Sequence, residues 1–337
     1  HSDGMPATLA DSRGRRMTLP DLYICLTPLQ ALIAAQLIRQ TQPQPAELLM
    51  ICYAGADNEK FRHYFRQTQA LCRRSDYAVI EHGRWMPPRL RRNIGRHYRT
   101  VRLASVDNDA VQYVVSHLRF ERLETFDDGT ANLYTDSILY RNPPMSAFRK
   151  LRRALQGIRY QTEDLRRLSQ CHYTLYPERP NIAAPTVPLA LWQDNTPRLA
   201  DTDINEVNKS SLHPFKILLG QPLFDRAEDN IALFARLQRH VHADAYFPHP
   251  REHYTLPDIA YLHSDLIFED YLAQQLQKQP AREFHIYHLG SSAAFNVHAF
   301  DRVRVHALRP EEPLFANPTW TQLYHIQSQL NIPVETV

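Results

Sequence analysis

Asp225 and His249 are the two residues whose types and positions could carry chemistry together. Both lie within KILLGQPLFDRAEDNIALFARLQRHVHADAYFPHPR, residues 216–251. A carboxylate suits proton abstraction, and an imidazole suits proton donation or a contact with a phosphate. His249 stands between Pro248 and Pro250, and two prolines restrict the local backbone and hold the ring at one place. A histidine kept there for structure alone is the plainer alternative.

The elements that must position this pair are legible around it. An apolar strand is expected over 215–219, a Gly220-Gln221-Pro222 turn after it, a helix over 226–240 and a second strand over 243–247. Side chains just after such strands stand at the carboxyl edge of an α/β sheet, the usual ligand edge of these folds. Further strands are expected at 265–268, 283–289 and 303–307, with helices at 269–277 and 320–330. The first half alternates in the same way. Strands are expected at 22–26, 47–53, 77–81, 100–104 and 122–126, with helices at 28–40, 59–73, 88–96 and 108–116. Two Rossmann-like halves, 19–210 and 211–337, follow, with a Pro-, Asn- and Asp-rich connector over 178–213. The first strand leads into Cys25-Leu26-Thr27-Pro28-Leu29-Gln30 in place of GxGxxG, which argues against a nicotinamide dinucleotide enzyme.

With 337 residues, the chain suits two domains of roughly 150 residues each. The 39 basic and 36 acidic side chains nearly balance, so no global charge calls for nucleic acid. Cys25, Cys52, Cys72 and Cys171 have no metal-ligand spacing and read as reduced, buried thiols. No run approaches the ~18 apolar residues that cross a bilayer. Residues 1–16 read as a tag remnant and leader, with the fold beginning near residue 19.

Other constellations are weighed against plainer roles. Asp127-Asp128-Gly129, at the end of an expected strand, could cap a helix, bind a metal or shape a loop under a substrate. It lacks the DxD spacing, and no metal is expected. His240, His242, His249 and His253 lack the HExxH order of a zinc site. Gly290-Ser291-Ser292 follows a strand and could offer amides and hydroxyls to an anion, or simply cap a helix. Glu269 opens a helix where a carboxylate could grip ribose hydroxyls. Two stretches are strongly basic: Arg84, Arg89, Arg91, Arg92, Arg96 and Arg99, then Arg149, Lys150, Arg152, Arg153, Arg159, Arg166 and Arg167. The second has apolar positions at Leu151, Leu155, Ile158 and Leu165. Both read as solvated faces or as attraction to an anionic membrane surface.

In this order, TFDDGTANL at 125–133, KILLGQP followed by Asp225, PHPR at 248–251, FEDY at 268–271 and SSAA at 291–294 resemble the bacterial lipooligosaccharide sialyltransferases of glycosyltransferase family 52. The resemblance implies a GT-B fold, two Rossmann-like domains facing a central cleft. It implies transfer with inversion from CMP-sialic acid to a terminal galactose of lipooligosaccharide, without metal or other cofactor, at the cytoplasmic or peripheral membrane surface of a bacterium. Asp225 would deprotonate the acceptor hydroxyl, with Asp229 in reserve because Leu223-Phe224 looks like an insertion. His249 would assist departure of CMP. Gly220, Pro250, Arg251, Glu269, Ser291 and Ser292 would hold the donor, while Asp127, Asp128 and Gly129 would shape the cleft floor. A different nucleotide sugar, or a non-catalytic glycolipid binder, are the rival readings. A homodimer is left open.

Overall fold

A computed structural model describes residues 8–10, 16–83, 85–192 and 213–337. Arg84, most of the expected connector and the boundary expected near residue 210 lie outside the described residues. The chain divides into His1–Leu189 and Ala190–Val337.

The first unit opens with a short antiparallel pair, β1 (Thr8–Ala10) and β2 (Arg16–Thr18), within the stretch expected to be leader. Then follow β3 (Asp21–Cys25), α1 (Pro28–Thr41), β4 (Ala46–Tyr53), α2 (Glu59–Gln69), β5 (Arg74–Ile80), β6 (His97–Leu103), α3 (Asp109–Ser116), β7 (Arg119–Phe126), α4 (Ala147–Leu155), α5 (Thr162–Leu168), β8 (Ser169–Thr174) and β9 (Thr186–Pro188). Strands β3 to β9 form one parallel sheet in the order β5-β4-β3-β6-β7-β8-β9. Every residue of β3 is buried, as expected of a central parallel strand covered on both faces. Thr27 caps α1 by accepting from the Gln30 amide, and Pro28 supplies the fixed φ of its first turn.

The second unit carries β10 (Phe215–Leu219), α6 (Ala227–Val241), β11 (Ala245–Phe247), β12 (Ala260–Tyr261), α7 (Phe268–Lys278), β13 (Phe284–His288), α8 (Ser292–Val297), β14 (Val303–Arg309), α9 (Pro318–Gln329) and β15 (Val334–Thr336). Its strands are all parallel, in the order β12-β11-β10-β13-β14-β15. Both sheets therefore reverse direction beside their first parallel strand, at β3/β6 and at β10/β13. Crevices at such reversals are where open α/β sheets bind ligands.

Four expectations need correction. The stretch 88–96 makes only a 3-10 turn, Pro88–Arg91, although both Leu90 and Ile94 are buried in the core. The strand expected at 265–268 is instead β12, while Phe268 already opens α7. Part of the expected connector is β9, which joins the sheet beside β8. The basic helical run breaks into α4 and α5 at Gly157, whose φ of 70° is left-handed. Leu151 and Leu155, apolar positions of that run, are exposed.

Beside the apolar core of the first unit lies a buried ionic group. Arg102 donates to Asp21 (2.8 Å), Glu124 (2.7 Å) and the Tyr23 hydroxyl (2.7 Å), tying β6 to β3 and β7. Arg102→Met should destabilise the protein by about 3 kcal/mol, since two buried carboxylates lose a shared partner. Urea unfolding checks this, and a loss below about 1 kcal/mol would contradict it, being the scale of a surface pair.

Candidate active site

In the second unit, three neighbouring strands, β11, β10 and β13, end at the same edge, and their following loops carry His249, Asp225 and Ser291. One carboxylate of the loop after β11 packs against the start of the loop after β10. Glu252 accepts from the Tyr246 hydroxyl (2.8 Å) and from the His249 amide (2.5 Å). This is possible because residue 220 is glycine: a Cβ there would lie 2.0 Å from Glu252 Oε2 and 2.3 Å from the Tyr246 hydroxyl. Gly220 is thus required for close approach, and its own amide extends the ladder to Phe247 O (2.9 Å). Burial, partly offset by the His249 and Tyr246 hydrogen bonds, raises the Glu252 carboxyl above its ordinary range.

The arrangement also orients the histidine. The Arg251 amide donates to His249 Nδ1 (3.1 Å), so the proton of the neutral ring resides on Nε2, available to donate. His249 is half-buried, whereas Pro250 and Arg251 are exposed. Sequence reasoning missed Glu252; its signal was the HPRE order, passed over as a failed zinc pattern.

Asp225 is exposed on the loop between β10 and α6. That loop is moulded by the buried Asn230, which accepts from the amides of Leu223 (2.8 Å) and Phe224 (3.1 Å) and donates to the carbonyls of Phe224 (2.7 Å) and Arg226 (2.9 Å). Four bonds from one amide side chain saturate its capacity. The backbone on both sides of Asp225 is therefore held while its carboxylate faces solvent. Asp229 sits in the first turn of α6, with its carboxylate 4.0 Å from the Arg226 guanidinium.

Across the reversal, Gln221 Oε1 accepts from the Gly290 amide (3.2 Å), joining the loops after β10 and β13. Ser291 stands at the N-cap position of α8 without a capping bond from its side chain, and its amide is directed to His288 Nδ1 (2.9 Å). Burial pushes the fully enclosed His288 down to about 3, so it is a neutral acceptor at ordinary pH. Ser292 opens the six-residue α8. Glu269 is buried in the first turn of α7 and accepts from Asn296 of α8 (2.8 Å). It therefore links the two helices in this structure.

The first unit treats its acidic pair unequally. Asp127 is enclosed, bonded to His172 Nε2 (2.9 Å), Thr174 Oγ1 (2.9 Å) and the Leu175 amide (2.7 Å), and so fastens β7 to β8. Asp128 turns the other way. It accepts from Ser105 Oγ (3.1 Å) and from Gln30 Nε2, while Gln30 Oε1 takes the Leu26 amide (2.7 Å). Gln30 and Ser105 thus occupy the β3/β6 reversal, where a dinucleotide-binding loop would need open amides. Burial pushes the Asp128 carboxyl up to about 7, Asp107 adding to the rise and the Gln30 and Ser105 bonds opposing it. Gly129 has φ 97° and ψ −154°, a conformation that side chains strongly disfavour. Among the described residues, no group of three or more His, Cys, Asp or Glu is placed to hold a metal ion.

A family model for glycosyltransferase family 52 matches residues 46–312, which include the loops of Asp127, Asp225, His249 and Ser291. The chain belongs to glycosyltransferase family 52. A CMP-N-acetylneuraminate:beta-galactoside alpha-2,3-sialyltransferase of Pasteurella multocida is 33% identical over 93% of this chain and 98% of its own length. An N-acetyllactosaminide alpha-2,3-sialyltransferase of Haemophilus influenzae is 30% identical, covering 87% of this chain and 93% of its own. A solved sialyltransferase structure from Photobacterium damsela aligns with a TM-score of 0.44 at 10% identity, covering 94% of this chain and 81% of that one.

In this family 52 glycosyltransferase, Asp128 also makes a stability prediction. Its carboxyl keeps a proton to about pH 7 when folded but loses it near the ordinary value of 3.8 when unfolded. Between those values the folded chain binds the extra proton, so this group's stability contribution is lost as pH rises, by up to about 1.4 kcal/mol per unit. Asp128→Asn has no such proton. Its stability relative to wild type should climb between about pH 5 and pH 8 in urea unfolding. A gap constant across that range would contradict the assignment.

Proposed function

We propose that this chain is an inverting sialyltransferase that moves sialic acid from CMP-sialic acid to a terminal galactose of lipooligosaccharide or a related surface glycan. The linkage is the α-2,3 bond named for its relatives. The observation that carries the reading is the joined edge of the second sheet, with an exposed carboxylate on one braced loop and a tautomer-fixed imidazole on the next.

Asp225 takes the proton of the acceptor hydroxyl as its oxygen bonds to the anomeric carbon. The bond from that carbon to the phosphate oxygen breaks, and its electron pair leaves with CMP. His249 Nε2 donates toward the phosphate, stabilising the charge that develops there. Asp229, in the first turn of α6, is the reserve base. Gly220, Ser291 and Ser292 line the proposed donor edge, and Pro250 and Arg251 flank it. Glu269 reaches a ribose only if its bond with Asn296 opens, so its proposed part is to fix α7 against α8. The two units are proposed to face one another across a cleft in the GT-B manner, the first unit receiving the acceptor. CMP is already a good leaving group, and the reading assigns no metal.

A specific observation favours a second reading of the base. Asp128 titrates near neutrality, where a general base is most effective, whereas Asp225 is an exposed surface carboxylate. If Asp128 is the base, activity should rise as pH passes about 7 and its carboxylate forms.

Asp225→Asn and His249→Ala should each lower kcat by about 10²–10⁴-fold with the circular dichroism spectrum unchanged. Transfer from CMP-sialic acid to a free β-galactoside measures it. Unchanged turnover in both variants would remove this site. Loss in Asp128→Asn with Asp225→Asn fully active would move the base to the first unit.

A further inference from the structure

The helix α4 is folded inside out. Ser146 caps it, and its arginines turn toward the protein: Arg149 pairs with Asp109 (3.2 Å), and the buried Arg153 binds Asp109 (2.5 Å), Gln112 (2.6 Å) and the Tyr160 carbonyl (2.8 Å). Arg149 and Arg153 lie on one side of the helix, so Phe148, Leu151 and Leu155, at spacings of three and four, form a stripe on the opposite side. These three are 65%, 60% and 70% exposed. Trp85, 60% exposed, stands near the end of the same helix, because the Met86 amide donates to Gln156 (2.7 Å) at its C-terminal cap.

The charges around this stripe select its occupant. Residues 141–156 hold Arg141, Arg149, Lys150, Arg152 and Arg153 and no acid, and residues 85–92 add Arg89, Arg91 and Arg92, again with no acid. Asp109, the acid that faces the helix, is already paired with Arg149 and Arg153. A second copy docked through the same face would bring Lys150 and Arg152 toward their own counterparts. An anionic lipid surface would neutralise them while taking up the apolar stripe, and a Trp at the margin suits the headgroup layer.

We propose that the Phe148-Leu151-Leu155 face of α4, with Trp85, lies in the headgroup region of an anionic phospholipid membrane and holds the enzyme beside a lipid-borne acceptor. The docking stands on the helix alone; only the nature of the acceptor rests on the proposed function.

Flotation of the full chain with phosphatidylglycerol–phosphatidylcholine vesicles, against phosphatidylcholine alone, tests this. Wild type should float with the anionic vesicles, less so at high salt, and F148S/L151S/L155S should bind at least about tenfold more weakly. Transfer to a free β-galactoside should be the same for both proteins, since the changed side chains are exposed and remote from the β10–β11 loops in sequence. Wild type that stays with the unbound fraction, or a triple variant that floats equally well, would overturn the proposal. So would light scattering that finds a wild-type dimer made monomeric by the triple substitution, which assigns the face to a second copy. Flotation as expected with no sialyl transfer by either protein would leave the docking standing and remove the acceptor reading.

Discussion

One carboxylate in the place where a side chain is missing holds the proposed site together. Glu252 fits against Gly220 because no Cβ stands there, and from that seat it takes the Tyr246 hydroxyl and the His249 amide. The bond to the His249 amide closes a tight turn in which the Arg251 amide reaches Nδ1 of the imidazole. The Gly220 amide, donating to the Phe247 carbonyl (2.9 Å), ties the ends of two adjacent parallel strands, and Gln221 extends the connection to a third through the Gly290 amide. A half-buried carboxylate with hydrogen-bond donors on both oxygens is costly to disturb, since either donor left alone would be unsatisfied. The geometry of the edge is therefore a property of the whole cluster rather than of any one loop.

The two sheets share a strand order yet differ at the reversal point. In the first unit, Gln30 and Ser105 fill it and hold Asp128 in an enclosed, proton-retaining state. In the second, glycines at 220 and 290 stand where the strands end, and the neighbouring side chains pack close above them. A fold that repeats itself thus offers two different chemistries, one with a carboxylate that titrates near neutrality, one with an exposed acid and an oriented imidazole. Function follows from the side chains placed at these edges, not from the topology.

Much of this was legible in the sequence. Alternating apolar runs gave nearly every central strand, because parallel strands buried on both faces read as continuous Val, Ile and Leu segments. The loops of Asp225, His249 and Ser291 were expected at strand ends and stand there. What sequence could not give was the set of polar residues acting on those loops. Asn230 looks like an ordinary helix residue, and Glu252 like part of a histidine-rich run, until three-dimensional contacts show each satisfying several backbone groups. The pair Asp127-Asp128 read as one motif, yet just past the end of β7 the two part, one bonding toward β8 and the other toward α1. The arginines of α4 misled for a related reason. A helix with alternating basic and apolar positions is amphipathic whichever face is inward, and only the position of Asp109 decides it.

In the proposed site, the Gly220 notch seats Glu252 and thereby shapes the edge assigned to the donor's nucleotide. Calorimetric titration of CMP into wild type and Gly220→Ala tests it most directly. The added methyl would displace the carboxylate and release the His249 loop, so the variant should keep its circular dichroism spectrum but bind CMP at least about tenfold more weakly, a difference of roughly 1.4 kcal/mol. Equal affinity in a folded variant would contradict the account.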